Sequence, residues 1–290
     1  MPNYTQWFTE TSNSRYRINS LKIYQDLACQ IVDKLDNNLL VDEIITWIKI
    51  ETIKAFKNSF NRKPEVGALN NAIGRWNELI ATSLLSEIVI EINQQRKDPL
   101  VLVFSLPNSK VQKEDSNDAY SNFINLFKKT NNNGEEKLDK IIPFQNAIFL
   151  PSPDFVITVI DTKNISPVII QLIEQQVVKP DSLGLYNFLK GKLNLSEVRA
   201  AISLKTSNRP DRRYQPLFEA AMIKAMASLL QQTWKYYMVA SDISHTDTRI
   251  FNTAISPHGI AIEQNIKLVD NTYPYTKKQD LMPLVIDATN

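Results

Sequence analysis

The chain reads as an α/β protein with a mixed central β-sheet flanked by helices and a helical N-terminal region. Three observations predict this. Apolar residues recur at helical spacing through most of residues 1–95. Short apolar, β-branched runs then appear at Leu100–Phe104, Phe155–Ile160, Val198–Lys205 and Tyr236–Ala240. Amphipathic stretches separate the later runs, an alternation that places helices over a sheet instead of building an all-β sandwich.

Each element follows from its residues in order. Leu21–Leu35, Val41–Phe56 and Ala68–Ile92 carry helical periodicity, and Asn37-Asn38 and Asn61-Arg62-Lys63-Pro64 break it. Leu100–Phe104 is a buried strand ended by Pro107. Asn108–Asp118 is polar and Thr130–Glu136 is turn-rich, with a short helix expected between them at Tyr120–Phe127. Ala147–Leu150 and Phe155–Ile160 are strand segments on either side of Pro151-Ser152-Pro153-Asp154. Val168–Val178 and Leu183–Leu193 read as helices and Val198–Lys205 as a strand. Pro210–Gln232 is amphipathic, and Pro216 marks either a kink or the true helix start. Tyr236–Ala240 is another strand, and the last fifty residues read as short strands and turns, with Ser256-Pro257-His258-Gly259 the clearest turn. No internal repeat or Pro/Gly/Ser-rich linker divides the chain. Residues 1–290 are expected to form one domain, with 1–95 mainly helical and 96–290 carrying the sheet.

Composition removes several function classes. Apolar residues make up 43% and charged residues 22%, ordinary usage for a soluble protein. The polar N-terminus has no apolar signal region, and no apolar run reaches the ~18 residues that span a bilayer. The single Cys29 permits no internal disulfide and suits a reducing cytoplasm; its helical setting predicts a buried structural thiol. Two histidines, His245 and His258, do not build a structural zinc site. Glycine is scarce at six residues, and neither GxxxxGK[ST] nor GxGxxG occurs, so ATPase and dinucleotide folds are excluded. A net charge of +2 argues against a polybasic binder. It is compatible with a protein that pairs a basic groove with an acidic metal site.

The stretch from Ser203 to Glu219 carries the chemistry. Strand alternation puts Ser203 and Lys205 on one side of the sheet. Asp154 stands at the mouth of a neighbouring strand, and Glu219 lies on the helix that follows Lys205. A lysine and two acids converging from a sheet is the equipment of metal-assisted phosphodiester cleavage. Oxygen ligands without histidine select Mg²⁺, held by Asp154 and Glu219, with Lys205 beside the attacking water. Glu78, in Gly74-Arg75-Trp76-Asn77-Glu78-Leu79-Ile80, is a further candidate acid, with Glu87 its competitor. Arg209, Asp211 and Arg212 form a separate device. Arginine forks onto guanine O6 and N7 and aspartate accepts from cytosine N4, so this cluster at a helix start reads G·C pairs.

The run Ser203-x-Lys205-Thr206-Ser207-x-Arg209-Pro210-Asp211-Arg212-Arg213, with Glu219 beyond it and Pro153-Asp154 ahead of it, resembles the CCGG-specific branch of type II restriction endonucleases in the PD-(D/E)XK superfamily. In that branch the acid normally two residues before the lysine is replaced, here by Ser203, and its role moves to the following helix, here Glu219. The resemblance implies the restriction-endonuclease-like fold, catalytic Asp154, Lys205 and Glu219 with support from Glu78 and Ser203, and DNA reading by Arg209, Asp211 and Arg212. It further implies Mg²⁺-dependent cutting of double-stranded DNA before a CCGG core to leave four-base 5′ overhangs. A homodimer or homotetramer, a cognate DNA methyltransferase as genetic partner and a prokaryotic cytoplasm complete the expectation. The alternatives are a PD-(D/E)XK repair or structure-selective nuclease that ignores CCGG, and a non-catalytic DNA-binding protein. Trp76, Trp234, Tyr236 and Tyr237 are expected in the core, His245 and His258 as incidental, and Lys277-Lys278 as a possible phosphate contact.

Overall fold

The computed structural model describes residues 4–11, 15–96, 99–107, 122–128, 152–161, 167–206, 214–241, 243–253 and 267–290. Its N-terminal part is helical as expected: α1 (Ser20–Asp36), α2 (Val41–Phe60) and α3 (Val66–Arg96). A short antiparallel pair, β1 (Phe8–Glu10) with β2 (Tyr16–Ile18), precedes them, too brief to register in the hydrophobic period. The breaks fall where the asparagines are. Asn19 caps α1 by accepting from the Lys22 amide at 3.2 Å, while Asn38 and Asn61 take left-handed backbone at φ 59° and 51°, a conformation asparagine tolerates. One helical stripe of α1, Ile23, Tyr24, Leu27 and Ile31, enters the core. Cys29 lies off that stripe and is exposed, which corrects the expectation of a buried thiol.

The sheet is mixed and, among the described residues, five-stranded. Its order is β3 (Leu100–Ser105), β4 (Phe155–Ile160), β5 (Val198–Lys205), β6 (Lys235–Ala240) and β7 (Asn271–Pro274). β3, β4 and β5 pair antiparallel in succession, whereas β5–β6 and β6–β7 are parallel. Strands β3 to β6 are buried on nearly every residue, so they appear in the sequence as unbroken apolar runs instead of alternating ones. Between β4 and β5 the chain makes α4 (Val168–Val178) and α5 (Gly184–Leu189). Parallel neighbours require a crossover, and α6 (Tyr214–Leu229) and α7 (His245–Thr253) supply it for β5–β6 and β6–β7.

Register assigns the sheet faces. Ala201, Ser203 and Lys205 of β5 lie beside Tyr236, Met238 and Ala240 of β6. The Tyr236 hydroxyl meets Glu219 of α6, so α6 covers that face. On the other face Lys235 bonds Asp287 of the C-terminal helix α8 (Lys278–Thr289), which packs beside α3. Trp76, Trp234, Tyr236 and Tyr237 are all buried, as expected.

Several boundaries differ from the sequence reading. Helix α6 is described from Tyr214, and Pro216 falls in the first turn of that span, where its missing N–H forfeits no intrahelical bond; the expected start at Pro210 lies outside the described residues. Helix α5 stops at Leu189 because Gly191 turns the chain with φ 71°. Only the 3-10 turn Ile124–Leu126 occupies the described part of the segment expected as a helix at 120–127. The last fifty residues hold β7 but also α7 and α8, against the expectation of strands and turns. Their capping carboxylates were the overlooked signal: Asp247 bonds Ser244 reciprocally, and Asp280 accepts from the Thr276 and Lys277 amides at 3.0 Å. Pro283 inside α8 disguised that helix. The expected strand at 147–150, the loops at 108–118 and 130–136, and the turn at 256–259 with His258 lie outside the described residues.

Candidate active site

The mouth of β4 and the end of β5 meet at one edge of the sheet. Asp154 is tied there by its backbone, donating to Ile202 O at 3.0 Å, and its Oδ2 accepts from the Leu204 amide at 2.7 Å. Lys205, the last residue of β5, sets its Nζ 3.5 Å from the same Oδ2. This distance is a loose ion pair, and it leaves the ammonium able to engage a second group.

Glu219 arrives over the sheet on the second turn of α6. The rotation of that helix is pinned below the acid by Lys224, whose Nζ donates to Trp234 O at 3.0 Å and pairs with Asp270. Glu219 Oε2 accepts from the Tyr236 hydroxyl at 2.7 Å and Oε1 from the Ser152 amide at 3.1 Å. Glu78 reaches the same place from α3, paired with Arg75 at 2.8 Å.

Arg75, Glu78, Asp154, Phe218 and Glu219 line a common cleft of about 520 Å³. Lys205 stands against Asp154 at its edge. Ser203 lies on the same sheet face but is only 1% exposed, beneath the cleft and not in its wall. Glu87, the competitor of Glu78, is held by Lys278 at 2.8 Å, and that same pairing engages Lys278, one of the two lysines expected to touch phosphate. Arg209, Asp211 and Arg212 lie outside the described residues.

The cleft carries a surplus of negative charge. Burial raises the affinity of Glu219 for a proton, the Asp154 carboxylate adds to that, and the Tyr236 hydroxyl and Lys205 oppose it. Glu78 is likewise raised by burial first and by Asp154, against its bond to Arg75. A cation relieves such repulsion, and the donors present are hard carboxylate oxygens. Among the described residues no three acidic, histidine or cysteine groups cluster tightly enough to enclose an ion by themselves. The set therefore fits a hard divalent cation that keeps most of its own water and accepts one or two carboxylates.

Both glutamates titrate above their unfolded value, so their contribution to stability is present below the unfolded range and lost as pH rises through the folded one. In EDTA, the melting temperature should fall as pH climbs from the ordinary glutamate range toward neutrality. Glu219→Gln should flatten that fall, and saturating divalent cation should remove most of it. An equally steep pH slope in wild type and Glu219→Gln would contradict the crowding of charge described above.

Two participants escaped the sequence reading. Arg75 had a signal, its i,i+3 spacing to Glu78. Tyr236 had none, because a tyrosine in an apolar strand is indistinguishable from a core residue until the element above it is known.

Comparison with known proteins assigns the family. The profile of the Cfr10I/Bse634I restriction endonucleases matches residues 2–290. The chain belongs to that family. The protein is thus a type II restriction endonuclease, a site-specific deoxyribonuclease. The Bse634I restriction endonuclease superposes with a TM-score of 0.72 at 18% identity, covering 100% of both chains. A crystal structure of the Type IIF restriction endonuclease Bse634I with cognate DNA superposes at 0.69, again at 18% identity and 100% of each chain. No curated protein matches the sequence. The endonuclease shares its fold with these structures. Among its described residues no helix is long and apolar enough to cross a membrane.

Proposed function

We propose that this endonuclease uses Mg²⁺ to hydrolyse double-stranded DNA at a palindromic site with a CCGG core, leaving 5′ overhangs. One observation supports this above the rest. Asp154, Lys205, Glu219 and Glu78, drawn from two strands and two helices, meet around one cleft at the sheet edge.

In this scheme Asp154 and Glu219 hold the cation. When bound, the cation activates water and offsets charge developing on the phosphate. Lys205 Nζ, loosely paired to Asp154, orients the attacking water and stabilises negative charge in the transition state. Glu78 supports the site from α3, and Arg75 holds Glu78 in place. Ser203 keeps the strand neutral beneath the acids, so that no further charge is added to those of Asp154, Glu219 and Glu78.

The reading half rests on Arg209, Asp211 and Arg212, immediately ahead of α6 in the chain. Arginine bidentate to guanine and aspartate accepting from cytosine specify the core. A palindrome matches a two-fold symmetric protein, so the endonuclease acts as a homodimer or homotetramer. Residues 1–290 act as one domain. A cognate methyltransferase protects the host DNA, and the setting is a prokaryotic cytoplasm.

Digesting a plasmid of known sequence with Mg²⁺ and sequencing the ends tests activity, site and cut position together. Cutting only at CCGG-containing palindromes is the expected result; cutting without base preference would refute the site. Arg212→Ala or Asp211→Ala should cost about 1–3 kcal/mol per lost base contact and relax discrimination. Competition binding with CCGG and mismatched duplexes measures this, and unchanged discrimination would refute the assigned readers.

A further inference from the structure

We infer that Tyr236 is a positioning residue for the cation site, its buried hydroxyl fixing the Glu219 carboxylate that the helix carries to the cleft. The inference rests on the proposed metal-dependent cleavage and adds to it a part that no acid or lysine of the motif supplies. Its premise is the migration of the acid. A carboxylate on β5 would be oriented by the sheet itself, whereas Glu219 extends from α6 on a long side chain with several rotatable bonds, and freezing them opposes ligation by losing rotamer entropy. Something must hold that side chain before the cation arrives.

Tyr236 meets the requirement at each level of structure. It sits on β6 beside Ala201, two residues along the strand from the partner of Ser203, and on the sheet face that α6 covers. Its ring is wholly buried. Its backbone is fixed at both ends: the amide donates to Asp270 Oδ2 at 2.6 Å and the carbonyl accepts from the Asp270 amide at 2.9 Å. Asp270 in turn pairs with Lys224 of α6, so one network fixes the strand that bears the hydroxyl and the helix that bears the acid. The hydroxyl of this buried ring donates to Glu219 Oε2 at 2.7 Å. The Ser152 amide takes Oε1, so each carboxylate oxygen has one donor and keeps acceptor capacity for a cation in the cleft. Hydrogen bonds to ligating carboxylates commonly govern metal affinity by 10- to 100-fold.

Tyr236→Phe removes only the hydroxyl and leaves the ring in the core. We would measure Mn²⁺ binding by electron paramagnetic resonance on the enzyme–DNA complex in a cleavage-inactive Lys205→Ala background, with and without Tyr236→Phe. The expected result is an affinity about 10- to 100-fold weaker. In the active enzyme the half-saturating Mg²⁺ concentration should rise by the same factor, with the rate at saturating Mg²⁺ within about threefold. The substitution should have no further effect on Mn²⁺ affinity in a Glu219→Ala background. An affinity unchanged by Tyr236→Phe would overturn the inference, as would an equal loss in the Glu219→Ala background. If phenylalanine disturbs folding, 3-fluorotyrosine placed at 236 keeps ring and hydroxyl and offers a single fluorine signal. That signal should shift on Mg²⁺ addition to the complex and stay still after Glu219→Ala; a silent signal in both overturns the inference. Failure of the wild-type enzyme to cut or to bind Mn²⁺ sinks the proposed function as well, whereas a normal wild type with a silent Tyr236→Phe sinks only the role of Tyr236.

Discussion

Asp154→Ala should abolish cleavage, lowering the rate by about 10³-fold or more, while DNA binding survives. The side chain has three duties that no neighbour can take over. Its Oδ2 accepts from the Leu204 amide at 2.7 Å, which locks the end of β5 against the mouth of β4. The same oxygen restrains Lys205 Nζ at 3.5 Å, so the lysine loses its position along with its partner. The carboxylate is also one of the two proposed cation ligands, and Glu219 alone is a weak site for a strongly hydrated ion. Binding persists because removing a negative charge from a cleft that faces phosphates reduces repulsion. End-labelled duplex cleavage and fluorescence anisotropy on one CCGG duplex report the two quantities separately. A melting curve controls for the Leu204 amide left without its acceptor, a loss of about 1–3 kcal/mol. Mg²⁺-dependent cutting within tenfold of wild type would sink the assignment of Asp154.

The largest effect on stability is expected at Trp234→Ala, about 3–5 kcal/mol. Trp234 is 2% exposed, stacks on Phe127 at 5.3 Å between ring centres and meets Phe123 edge-on at 5.4 Å. Its indole N–H donates to Leu195 O at 3.0 Å, joining the approach to β5 with the start of β6. Alanine removes the stacked area, leaves a cavity beside Phe123 and Phe127, and strips the Leu195 carbonyl of its donor. For a chain of this size the loss corresponds to a melting point lower by roughly 10 °C. Circular dichroism melts measure it, and Trp234→Phe should recover part of the loss by restoring the stack without the hydrogen bond. A drop below about 3 °C for Trp234→Ala would mean that this cluster is not the anchor its geometry implies.

The contrast between what was legible and what was not has a physical basis. Helices α1 to α3 and strands β3 to β6 are legible because burial imposes a period on side chains, and that period is written locally. The pair β1–β2 and helices α7 and α8 are not. Helix α7 buries one apolar side chain, Phe251, and in α8 the internal Pro283 obscures the regular stripe of Leu281, Leu284, Val285 and Ala288, so the capping carboxylates Asp247 and Asp280 are the plainer signal. Cys29 shows the same limit: a helix pattern names the buried stripe, and a residue beside it faces out.

For the site, residue chemistry and order along the chain named Asp154, Lys205 and Glu219 as candidates, the resemblance added Glu78 by context, and strand alternation placed Ser203 with Lys205 on one face of β5. Strand alternation and donor type are local properties, so they are legible in the sequence. The sequence preferred Glu78 with Glu87 as its competitor; what only the tertiary structure adds is where each one sits, Glu87 against Lys278 and Glu78 with Arg75 at the cleft. It also adds the hydroxyl of Tyr236 on Glu219 and the amide of Ser152 beside it. Partners brought together across 17 and 67 residues of chain leave no periodic trace in the sequence. Their meeting depends on how α6 is rotated over the parallel strands β5 and β6, and that rotation is set by packing and by Lys224 with Asp270, which no local pattern encodes.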